Sequence, residues 1–186
     1  MVKKIVILFS GQGSNLEALA RALLGRVEIV AITNNPNAGG IERAKALGIP
    51  VTIIDHRAFS SREEFDAALV GDIKRHAPDL VVLAGFMRLL SRVFTDAVAN
   101  AINIHPSLLP LFKGKDGIGE SFRSGMKVGG VTVHRVTEQM DSGEILAQVC
   151  VPILETDTRE SYEARVHEAE HRLYPQVVAR LLGLVG

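Results

Sequence analysis

The chain has 186 residues, 47% of them hydrophobic, which suits one domain with a buried core and argues against disorder. Lys plus Arg and Asp plus Glu both number 21, so a formal net charge of zero gives no bulk electrostatic reason to bind nucleic acid. A single cysteine, Cys150, excludes an intramolecular disulfide and a thiol cluster for metal, as expected in a reducing cytoplasm.

Residues 4–9 form a continuous Val- and Ile-rich run, the pattern of a parallel strand buried on both faces. That run is too short for a signal peptide, and no run approaches a membrane span. Ser10-Gly11-Gln12-Gly13-Ser14-Asn15 follows as a tight loop. A helix is predicted over 15–24, with Leu16, Leu19, Ala20, Leu23 and Leu24 on its apolar face and Ser14 or Asn15 as cap. Strands follow at 27–33 and 51–54, with a short helix at 41–47 between them. Ser61 and Glu64 have capping-box spacing before a helix to about residue 76. Then come a strand at 80–84, a helix at 91–100 and a strand at 101–105 stopped by Pro106. Residues 106–119 are rich in Pro and Gly and read as a long functional loop. A short helix at 120–126 and strands at 131–136 and 144–153 come next, with Cys150 expected as a buried small hydrophobe. Asp157 or Thr158 should cap a last helix to about residue 182, kinked at Pro175.

The alternation of strands and helices predicts an α/β fold: one domain over 1–186, Rossmann-like, with a mostly parallel sheet and helices on both faces. Ligands of such sheets bind at the carboxyl ends of the strands. There the loop 10–15 offers backbone N–H groups and a helix N-terminus, which suits a phosphate. It lacks the third glycine of a dinucleotide fingerprint, since Leu16 stands there, and it lacks the Gly-Lys-Ser/Thr of a nucleotide-triphosphate loop.

Asn103 and His105 lie two apart on one strand, so their side chains share a face. An amide N–H and an imidazole are what a developing oxyanion requires in acyl transfer to an amine. Histidine can also carry the proton to a leaving nitrogen. Asp141, in Gln139-Met140-Asp141-Ser142-Gly143, is the candidate carboxylate partner, although its spacing also fits a plain Asx-turn. His167-Glu168-Ala169-Glu170-His171 matches a zinc-protease motif, but no third ligand follows on a downstream helix, and no metal is expected.

These segments together resemble the folate-dependent glycinamide ribonucleotide formyltransferases. The matching pieces are Ser10 to Leu16, Ser61-Arg62-Glu63, Val82 to Ser91, Ile102 to Pro110, Thr132-Val133-His134, Met140 to Gly143, and Arg165 to Pro175. They fall in family order over nearly the whole chain. The resemblance implies the formyltransferase fold, with residues 1–100 as a phosphate-binding half and 101–186 as a catalytic and folate-binding half. It implies formyl transfer from 10-formyltetrahydrofolate to the amine of glycinamide ribonucleotide in purine biosynthesis, through an oxyanion held by Asn103 and His105.

Asn103, His105 and Asp141 match the catalytic trio, with Asp141 keeping His105 protonated. Gly13, Ser14, Asn15 and Glu170 match the substrate's phosphate and ribose site. Arg62, Met87, Arg88, Leu89, Leu90 and Asn103 match the folate site, with the loop residues Thr137, Glu138, Gln139, Met140 and Asp141 around the pteridine. The two arginines suit folate carboxylates. A cytoplasmic monomer or homodimer is expected, without membrane or nucleic-acid partner. The chain departs from many members at Gln12, where they carry Asn, and from some in lacking histidines over 112–119.

Overall fold

In the computed structural model, residues 2–184 are described; Met1, Val185 and Gly186, at the ends of the expected domain, lie outside the described residues. The chain runs β1 (Lys3–Phe9), α1 (Ser14–Leu23), β2 (Val27–Thr33), α2 (Gly40–Ala46), β3 (Val51–Ile53), α3 (Arg62–His76), β4 (Leu80–Leu83), α4 (Arg92–Ala97), β5 (Ala101–His105), α5 (Gly117–Arg123), β6 (Val128–Arg135), β7 (Ile145–Pro152) and α6 (Arg159–Leu181). One sheet has the order β3-β2-β1-β4-β5-β6-β7. β1 to β5 pair in parallel, and β6 and β7 add antiparallel. The strand order reverses between β1 and β4, which opens a crevice at their carboxyl ends.

The unbroken apolar run of β1 has a two-sided cause. Ile5, Ile7 and Phe9 pack into a core with α1, α2 and α6, while Val6 and Leu8 pack into a second core with α3 and α4. Helix α1 buries Leu16, Leu19, Ala20 and Leu23, one stripe at helical spacing. Fully buried Tyr174 donates its hydroxyl hydrogen toward the carbonyls of Leu83 (2.7 Å) and Ile102 (3.2 Å), tying α6 to β4 and β5.

Several expectations at element ends are corrected. Helix α1 is preceded by Gly13 at φ 75°, without a side-chain cap, rather than capped by Ser14 or Asn15. Ser61 accepts from the Glu64 N–H, but the Glu64 carboxylate turns to the N–H and hydroxyl of Ser60, so only half the capping box forms. Helix α4 stops at Ala97, and α5 starts at Gly117, inside the segment expected to be irregular. As expected, Thr158 caps α6, in a complete box with Ser161, and Pro175 lies inside that helix. Cys150 is exposed, because β7 is an edge strand whose residues alternate between the core and solvent.

Candidate active site

The end of β5 sets the site. Antiparallel pairing places Asn103 opposite His134 and His105 opposite Thr132. Gly143 sits where an added Cβ would run into the Arg135 carbonyl, so the 136–144 loop folds back tightly on the end of β6. That fold carries Asp141 over β5, with Asp141 itself in the left-handed region at φ 49°. Its side chain, 8% exposed, does not close a local Asx-turn. One carboxylate oxygen lies 3.5 Å from His105 Nδ1 and the other 3.6 Å from His134 Nε2.

Asp141 therefore bridges two imidazoles. The Gly114 N–H also donates to it at 2.9 Å. Burial pushes the Asp141 carboxyl up, but the hydrogen bond with His134, the Gly114 N–H and the charges of both imidazoles together hold it below the ordinary aspartate range.

His134, 3% exposed, joins this cluster, although no role for it is expected from the sequence. Its Nδ1 lies 2.8 Å from the Arg135 carbonyl, which requires a hydrogen on that nitrogen. Its Nε2 faces both the Asp141 carboxylate, 3.6 Å away, and the Asn103 amide Nδ2, 3.4 Å away. The Asn103 side chain makes no other hydrogen bond among the described residues, so an amide N–H stays available for another acceptor. His105, 5% exposed, donates from Nε2 to the Phe112 carbonyl at 2.8 Å. A backbone carbonyl oxygen thus takes up the Nε2 donor.

The loop 10–15 reaches the same region from β1. The Asn15 amide donates to the Glu170 carboxylate (3.3 Å), so the start of α1 and the middle of α6 meet. The His167 Nδ1 lies 2.8 Å from the same Glu170 oxygen and Nε2 lies 3.5 Å from Glu163, and its ring stacks on His171 at 6.5 Å. The hydrogen bond with Glu170 raises the His167 pKa, and burial lowers that of His171. His167 of the zinc-like motif is thus engaged with these acids and stacked on His171, whose buried Nε2 has no hydrogen-bond partner. Among the described residues no group of three metal-ligating side chains is gathered.

On the other flank, between β4 and α4, Met87 (76% exposed) and Leu89 (51%) present apolar side chains to solvent. The Arg88 guanidinium lies over the Phe65 ring at 5.5 Å, and its buried Nε has no partner. Leu90 is 6% exposed and belongs to the core, so that residue offers its backbone only. Arg62 opens α3 with one weak contact to Glu63 at 3.6 Å. Thr137, Glu138, Gln139 and Met140 are exposed, and Glu138 pairs with Arg92 at 2.7 Å. A cleft of about 200 Å³ beside Asp141 is lined by Leu109, Pro110, Lys113, Ser142, Gly143 and Ile145. A hollow of about 270 Å³ lies at the opposite end of the sheet, around Pro78, Val81 and Asn100, away from these groups.

A Rossmann-like sheet with an amide, an imidazole and a buried carboxylate at its carboxyl edge, beside an anion-favouring helix start, defines an enzyme of acyl-type group transfer. Residues 3–178 match the formyl transferase family. The chain is 41% identical to phosphoribosylglycinamide formyltransferase of Bacillus subtilis, over 98% of this chain and 96% of that one. It belongs to the phosphoribosylglycinamide formyltransferase family. The crystal structure of phosphoribosylglycinamide formyltransferase from Campylobacter jejuni superposes with a TM-score of 0.92 at 46% identity, covering 98% of each chain. The trifunctional purine biosynthetic protein adenosine-3 of Drosophila melanogaster is 41% identical over 97% of this chain, which spans only 14% of that protein.

Proposed function

We propose that the chain transfers the formyl group of 10-formyltetrahydrofolate to the amine of glycinamide ribonucleotide, with Asn103, His105 and Asp141 at the reacting centre. The observation that carries this reading is the Asp141 carboxylate 3.5 Å from His105 Nδ1, with Asn103 on the same face of β5. An α-amine of pKa about 8 is partly neutral near pH 7 and needs no strong base to attack. What it lacks is stabilisation of the charge that grows on the formyl oxygen. The free Asn103 N–H and His105 Nε2 are the donors for that charge, and Asp141 supplies the counter-charge to an imidazolium. The Phe112 carbonyl must leave Nε2 for the formyl oxygen to take its place.

Gly13, Ser14 and Asn15 would hold the acceptor's phosphate at the start of α1, and Glu170 its ribose, an arrangement supported by the hydrogen bond between Asn15 and Glu170. Arg62, Arg88, Met87 and Leu89, with the Leu90 backbone and the 137–141 loop, would hold the donor. The buried, unpartnered Arg88 Nε and the weakly paired Arg62 guanidinium suit a ligand with carboxylates.

Purified protein mixed with glycinamide ribonucleotide and 10-formyltetrahydrofolate should show the absorbance change of donor consumption. His105→Ala should fold and lose activity on the order of 100- to 10,000-fold. Turnover near the wild-type rate in that variant would remove His105 from the mechanism.

A further inference from the structure

The loop between β4 and α4, residues 85–91, shows its most exposed side chains beside its most buried polar groups. Met87 and Leu89 face solvent, while Asp66 of α3 is 0% and Ser91 4% exposed. One Asp66 oxygen accepts both the N–H and the hydroxyl of Ser91, each at 2.6 Å. The other, also buried, has no hydrogen-bond partner. Ser91 stands at the cap position of α4, yet its hydroxyl makes no cap bond; it is spent on Asp66.

The other end of the loop is held from β1. Ser10, 7% exposed, donates its N–H to the Gly85 carbonyl at 3.0 Å, and its hydroxyl oxygen accepts the Met87 N–H at 2.8 Å. The Ser10 hydroxyl hydrogen goes to the Asn34 side chain at 2.5 Å. Ser10 is also the first residue of the loop 10–15. The same serine therefore fixes the start of the phosphate loop and the start of the 85–91 loop, across the crevice between β1 and β4.

A fully buried carboxylate is costly to hold away from water, and an apolar side chain of similar size would pack α3 at no such cost. The Asp66 carboxylate instead grips a loop end through two short, charge-assisted hydrogen bonds. Held at both ends, the loop presents Met87, Arg88 and Leu89 in one arrangement before any ligand arrives, so that less ordering is left for binding.

We infer that Asp66 and Ser10 are positioning residues: a two-ended clamp that holds loop 85–91 in its donor-binding shape, with Ser10 tying that loop to the phosphate loop. This rests on the assignment of residues 87–90 to the folate site. The experiment is steady-state kinetics with each substrate varied in turn, on Asp66→Ala, Asp66→Asn, Ser91→Ala and Ser10→Ala. Asp66→Ala should raise the KM for 10-formyltetrahydrofolate about tenfold, leave the KM for glycinamide ribonucleotide unchanged and keep kcat within about twofold. Asp66→Asn, which retains an acceptor oxygen, should restore part of the loss. Ser10→Ala should raise both KM values.

A purely structural role predicts a different pattern: a lower Tm and an apparent kcat reduced with the folded fraction, at unchanged KM. That pattern overturns the clamp. If Asp66→Ala does not fold, Ser91→Ala decides the matter, with a donor KM raised about threefold in support and an unchanged one against. Amide exchange of the wild type with tetrahydrofolate separates the two layers of argument. Without protection over 85–91 the folate assignment fails; protection together with an unchanged donor KM in the variants sinks the clamp alone.

Discussion

Asp141 holds its position at φ 49°, a conformation unfavourable for a residue with a Cβ, because three partners converge on its carboxylate. Its folded-state pKa lies below the unfolded one, despite burial pushing it up, so the charged form is the one that stabilises. That stabilisation is complete above the unfolded value of about 3.9 and disappears as pH falls through the folded value. Asp141→Asn should therefore melt below wild type at pH 6, with the gap in Tm closing toward pH 3. A gap that persists unchanged in acid would mean that shape, rather than charge, is what Asp141 contributes. Activity at pH 7 should fall on the order of 100-fold in the same variant.

That Asn103, His105 and Asp141 come together was legible in the sequence: Asn103 and His105 through their spacing, and Asp141 through the resemblance. His134 was not, because a histidine on an alternating strand reads as an ordinary interior residue until antiparallel pairing sets it opposite Asn103. Asp66 and Ser10 were hidden for the same reason: nothing local marks the partner to which a buried polar group is bound.

At the scale of elements, two glycines that look equivalent in Gly11-Gln12-Gly13 turn out to differ. An added Cβ on Gly11 meets nothing within 4 Å. On Gly13, at φ 75°, it would stand 2.7 Å from the Gly40 Cα, where the start of α2 packs against the start of α1. Gly13→Ala is thus opposed by backbone strain and by a backbone that cannot yield, and should cost roughly 1–3 kcal/mol in chemical denaturation. Gly11→Ala should stay within about 0.5 kcal/mol of wild type. Equal losses for the two would show that this helix–helix contact does not constrain the loop. The sequence conveyed a glycine turn suited to phosphate; the contact with Gly40 came from a neighbour 27 positions away, beyond any local pattern. The element ends that sequence misplaced have similar causes. Helix α1 begins from a glycine without a side-chain cap because its start is packed against α2, and α5 begins at Gly117 because Asp116 accepts the Gly119 N–H, a local cap inside a segment that looked irregular.

For the whole molecule, the mostly parallel α/β sheet was legible as a class, since continuous apolar runs alternating with amphipathic helices leave few arrangements. The antiparallel β6 and β7 were not, because the β5–β6 connection contains a helix, α5, yet does not carry the chain back to the starting end of β5, and only the 136–144 loop between β6 and β7 is a direct return. This topology bears on whether residues 1–100 and 101–186 behave as separable halves. β4 pairs with β5 across that boundary, Val81 beside Ala101. The core beneath α6 takes Ile5, Leu16 and Leu19 from one side of it and Val166, Tyr174 and Val178 from the other. Neither half can bury its apolar face without the other, so we expect one cooperative unfolding transition. The chain offers a clean test, because it has no tryptophan and both tyrosines, Tyr162 and Tyr174, lie in α6. Tyrosine fluorescence then reports the packing of α6, while far-UV circular dichroism reports all the helices. In urea the two curves should share one midpoint and a slope of about 2–3 kcal/mol/M. A fluorescence transition at lower urea than the dichroism would mean that α6 and its strands detach while the first half keeps its helices, and the two halves would then be independent folding units joined by a sheet.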